Sequence, residues 1–120
     1  VAYLTEGRRP HPWQQQVPGL VDVATLAGDH QLTAKSGNYQ RLDPGGAGRN
    51  VDLPGPAEGL VDNNGVVFVI MNAADNAEAL TIRDPADSTV VTIAQNERAT
   101  VVGVGGVDWI HMGIETIALT

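Results

Sequence analysis

The chain has 120 residues, a formal net charge of −7, fourteen glycines, seven prolines and no cysteine, with two Trp, two Tyr and one Phe as its aromatics. The length suits one domain with a core of Val, Ile, Leu and Ala, and the Gly and Pro content points to many turns rather than long helices. The missing cysteines exclude disulfides and thiolate metal sites, and the acidity argues against a nucleic acid or anionic membrane as partner.

Residues 1–29 open with "VAYLTEGRRPHPW", which lacks the apolar core of a secretory signal, and continue through "QQQVPG" without sustained periodicity. Proline blocks helix continuation and pushes its predecessor to extended geometry, so this stretch reads as an extended N-terminal arm. Tyr3, Arg8, Arg9 and Trp13 are of the types that anchor interfaces, which makes them the candidate partner-binding residues. The segment "LVDVATLAG" (20–28) fits either a short strand or a single helical turn.

From residue 30 the pattern is β, and residues 30–120 form the predicted domain. "HQLTA", "NYQRL" and "RNVDL" are strand-like runs, broken by "KSGN" and "DPGGAG". The "PGPAEGLVDNNG" connection follows. "VVFVIMN" (66–72) is continuously apolar, as for a strand buried on both faces, and "NAADNAEA" reads as a loop or one helical turn. "LTIRD", "TVVTIA", "RATVVG", "VDWIH" and "GIETIAL" complete about nine strands. Short strands with short connections favour antiparallel pairing, closed as a β-sandwich or small barrel. Val67, Phe68, Val69, Ile70 and Trp109 are the candidate core or subunit-contact residues.

No stretch carries a reaction centre. "GGAG" and "GVGG" lack the Lys-Ser/Thr of a phosphate loop and read as tight turns. "DNNG" (62–65) suggests a calcium loop, but its closing Glu position is Ala73. His11, His30 and His111 share no ligand spacing, and Trp109 and His111 share one strand face. Ser36 and Ser88 stand in turns outside any nucleophile motif. The expectation is therefore no enzyme, no cofactor and no bound metal.

"LTAKSGNYQRLDPGGAGRNVDLP", "GVVFVIMNAADNAEALTIRDPADSTVVTIAQNERATVV" and "VDWI" together resemble a β-rich module of tailed-bacteriophage structural proteins, notably head decoration (cement) proteins and head fibres. The matching marks are the Leu-Asp-Pro-Gly-Gly turn, Arg49, Val51, Leu53 and Pro54, the strand Phe68 to Asn72, and Asp108 with Trp109. The likeness covers about residues 30–112 and leaves the arm outside. It implies an antiparallel sandwich of tulip or jelly-roll type, a homotrimer, and a place on the outer capsid surface of the virion bridging subunits of the major capsid protein. It brings no catalytic residues. The alternative is a phage tail or fibre module that binds a host-surface glycan, which an exposed aromatic platform would favour.

Overall fold

The computed structural model describes the backbone of residues 17–117 and the side chains of 21–117. It is all-β, with one short 3-10 turn at Pro56–Glu58. In chain order the strands are β1 (Val17–Thr25), β2 (His30–Gln31), β3 (Gly37–Asp43), β4 (Arg49–Asp52) and β5 (Val67–Asn72). They are followed by β6 (Leu80–Arg83), β7 (Thr89–Ile93), β8 (Glu97–Gly105) and β9 (Asp108–Thr116). One sheet has the order β1-β3-β5-β8-β9 and the other β2-β4-β6-β7.

The chain alternates between the two sheets up to β6, so each strand lies parallel to the strand two places earlier. The pairs β1/β3, β2/β4, β3/β5 and β4/β6 are parallel; β5/β8, β6/β7 and β8/β9 are antiparallel. Both sheets are mixed, which corrects the expected antiparallel, jelly-roll-like arrangement. Parallel neighbours need a crossover of about a dozen residues, and here the crossover contains a strand of the opposite sheet. Residues 26–36, between β1 and β3, include β2.

β1 corrects a second expectation. Residues 17–25, read as part of the arm or left undecided, form an edge strand of the larger sheet. Asp22 fixes it there: its Oδ2 accepts from the Gly37 N–H (2.9 Å) and from Nε2 of the fully buried Gln40 (2.7 Å). Pro18 lies where the β1/β3 register shifts, at a sheet edge, the place a residue without an N–H is tolerated. The domain therefore begins before residue 30. At the other end, the two runs "VDWIH" and "GIETIAL" belong to one strand, β9, with an irregularity opposite Ala99 to Val101. Gly113 (φ 123°) absorbs it in a conformation that a side chain disfavours. "NAADNAEA" is a loop.

The core gathers the inward residues of both sheets into one cluster. Leu42, Phe68, Ile70 and Val101 come from the larger sheet; Ile82 and Ile93 come from the smaller. "VVFVIMN" is not buried on both faces: Phe68, Ile70 and Asn72 are buried and Val67, Val69 and Met71 only half-buried. The long connection after β4 closes one end of this core. Leu53 and Leu60 enter the core, and Glu58 Oε1 accepts the Gly55 N–H at 2.8 Å to tighten the turn.

Candidate interaction surface

The alternation along β5 separates the candidate residues into two roles. Phe68, Ile70 and Trp109 point into the core, and the rings of Phe68 and Trp109 lie 5.9 Å apart. Val67 and Val69 point outward. Tyr3, Arg8, Arg9 and Trp13 lie outside the described residues.

The outward residues of the larger sheet form rows across its strands, because residues in register share a face. One row runs Val21, Tyr39, Val69, Thr100. A second runs Val67, Val102, Ile110. Val21, Tyr39 and Ile110 are 48%, 37% and 49% exposed. These rows hold no charge. Charge begins in the next row toward one end, where Arg41, Met71, Arg98 and Glu115 align, and Arg98 pairs with Glu115. At the other end stands Asp108, two residues before Ile110 on the same face.

The outer face of the smaller sheet is polar by contrast. Asn50, Thr81 and Thr92 align, and beside them Arg83 grips Asp52 with Nε at 2.7 Å and Nη2 at 3.0 Å. That bond is the main reason the Arg83 guanidinium is held above its usual pKa. Asp29, exposed, accepts the N–H and the side-chain amide of Asn50, and these bonds lower its carboxyl below the ordinary range.

The residues behind the resemblance hold the fold. Nε of Arg49 donates to the Pro44 carbonyl (2.8 Å), tying the Asp-Pro-Gly-Gly turn to β4. Val51 and Leu53 are core. Buried Asn72 donates to the carbonyls of Glu78 (2.8 Å) and Ile93 (2.9 Å) and accepts the Ala74 N–H, so it links β5 to β7 in the opposite sheet. A second clasp was not legible in the sequence. Asn63 donates to the Asp108 carbonyl (2.7 Å) and accepts the Gly105 N–H (3.0 Å), pinning the long connection to the β8–β9 turn. "DNNG" is thus a structural turn, with Asp62 Oδ1 accepting the Asn64 N–H.

Residues expected in turns stand in turns. The Ser36 hydroxyl accepts the Thr33 N–H, and the Ser88 N–H donates to Asp84. His30 is on β2 and His111 on β9, in different sheets. His111 pairs with inward-facing Val101 yet is exposed. Asp43, Asp75 and Glu78 approach one another within 4.8 Å. A surface depression of about 330 Å³ lies between Ala77, Glu78, Ala79, Ala94 and Gln95. No helix among the described residues is long and apolar enough to cross a membrane.

No protein-family model, no curated protein and no solved structure matches the chain.

Proposed function

We propose that this chain is a virion structural protein, a capsid decoration or cement protein that sits on the outer capsid surface and bridges subunits of the major capsid protein. The carrying observation is the contrast between the two outer faces: one polar and internally paired, the other aliphatic and charge-free at its centre. Contiguous apolar surface of this kind marks an interaction site. With the resemblance of residues 30–112 to decoration modules, it supports an assembly role rather than catalysis, and no enzyme activity, cofactor, nucleic acid or membrane belongs to this reading. In it the two sheets stack as a sandwich, the protein is a homotrimer, and the residues before β1 are an arm that reaches capsid protein or a neighbouring copy.

The glycan-binding alternative needs an exposed aromatic platform. Trp109 is 7% exposed and packed on Phe68, so it offers none. Tyr39 is the large aromatic with an exposed ring on the apolar face.

Cosedimentation with assembled capsid shells tests the arm. The chain lacking residues 1–16, cut just before β1, is expected to fold as the full chain does and to bind at least about tenfold more weakly, since about 1.4 kcal/mol is tenfold and one anchor can supply more. Trp13→Ala is expected to reproduce a good part of that loss. Equal binding by all three proteins removes the arm from the account.

A further inference from the structure

Among the described residues, Val21, Tyr39 and Ile110 stand exposed on the outer face of the five-stranded sheet, beside half-buried Val69 and Val102. We propose that copies of this chain meet through that face, turned toward the common axis of the oligomer. The inference rests on the homo-oligomer reading and specifies the surface that reading would use.

Size is the first argument. Strands lie about 4.8 Å apart and outward residues about 6.8 Å apart along them, so the two apolar rows, crossing four and three strands, have a projected area on the order of 230 Å². The largest apolar patch of a monomer is about 300–600 Å², and a stable interface takes about 800 Å² from each partner. The rows therefore form the centre of an interface, and its remaining area comes from the rims and the edge strands.

Chemistry selects the occupant. Interfaces between proteins that also live apart are about as polar as ordinary surface, whereas those between permanent copies are more apolar. Here the centre, at Val69 and Val102, has no charge within its rows, and both signs stand at the rims: Asp108 at one end, Arg41 and Arg98 at the other. That is an apolar centre inside a polar rim. A partner met only on the finished capsid would leave this face in water from synthesis onward; a second copy is present from the start. Self-association here also suits a chain of net charge −7, because the rows in contact carry no carboxylate.

The edges agree with this placement. β1 and β9, nine residues each, are the two edges of the same sheet, and Val23 (71%) and Met112 (68%) are exposed on them. Long edge strands with apolar side chains invite pairing unless something blocks them. A copy seated on the face stands beside both.

The test is the molar mass of the purified full chain by light scattering after gel filtration, across a concentration series. Wild type is expected at three times the 12.6 kDa chain mass. Val69→Lys and, separately, Val21→Lys are expected at the chain mass, with dissociation constants raised at least about a hundredfold and circular dichroism unchanged. Val21→Lys guards against a folding defect, because an edge strand tolerates lysine. Val61→Lys, on the long connection and 64% exposed in wild type, is expected to keep the wild-type mass. If wild type is an oligomer and both face variants remain so, copies meet elsewhere: this inference fails and the homo-oligomer reading stands. A wild type monomeric at every concentration sinks both. A monomeric wild type whose capsid binding is lost in Val69→Lys assigns the face to another protein and overturns the second copy as its occupant.

Discussion

Asn72 and Gly103 show how single residues set this fold. Asn72 uses both side-chain hydrogens and its carbonyl inside the core. Replacing it with Ala takes the Asn72 partner from two carbonyls and one N–H, and each group left buried and unsatisfied costs about 1–3 kcal/mol. Asn72→Ala is therefore expected to lower unfolding free energy by about 3 kcal/mol or more in urea titrations, and shape-matched Asn72→Leu to restore little of it. Gly103 lies against the Asn63 backbone, where a Cβ would overlap the Asn63 carbonyl. Gly103→Ala must push the Asn63 clasp away, with an expected loss of about 1–3 kcal/mol, typical of overpacking. Asp29 gives a pH prediction. Its carboxyl titrates below the ordinary range in the folded chain because it accepts from Asn50. Its contribution is thus present above the unfolded value of about 4 and lost as pH falls through the lower folded value. Between pH 7 and pH 3 the urea midpoint of Asp29→Asn should fall less than that of wild type. Much at this scale was legible in the sequence. Turn residues such as Asp84, which accepts the N–H groups of Ala86 and Ser88, announce themselves by type. The Asn63 clasp did not, because its partners Gly105 and Asp108 lie more than forty positions away in the chain.

Strands were legible as elements, and their directions were not. A period of two marks a strand without saying which way its neighbour runs, and the short apparent connections argued for hairpins. The connection from β1 to β3 contains β2, so the true crossover is long enough for parallel pairing. β1 escaped notice because Pro18 and Gly19 lie within it and because only one of its faces is apolar in the middle: Asp22 points inward, to Gln40. Its role separates two truncations. Removing residues 1–16 should leave circular dichroism and the urea midpoint as in wild type. Removing 1–25 deletes β1, strips buried Gln40 of Asp22, and should lower the midpoint markedly or unfold the chain. If the shorter truncation also unfolds the chain, residues 1–16 pack on their own domain and are not an arm.

Among the described residues the molecule is two-sided. Its smaller sheet turns outward a surface of amides, hydroxyls and an Asp52–Arg83 pair, while the central rows of its larger sheet turn outward Val, Tyr, Thr and Ile. Such asymmetry suits a chain that docks through one face. The capsid claim itself meets its most direct test in a low-resolution density map of the virion that carries this protein. The account predicts density on the outer capsid surface, of a size matching copies of this chain, lying across contacts between major capsid protein subunits and missing from particles made without the gene. Identical capsid surfaces in the two maps, or density for this protein confined to the tail, would contradict it.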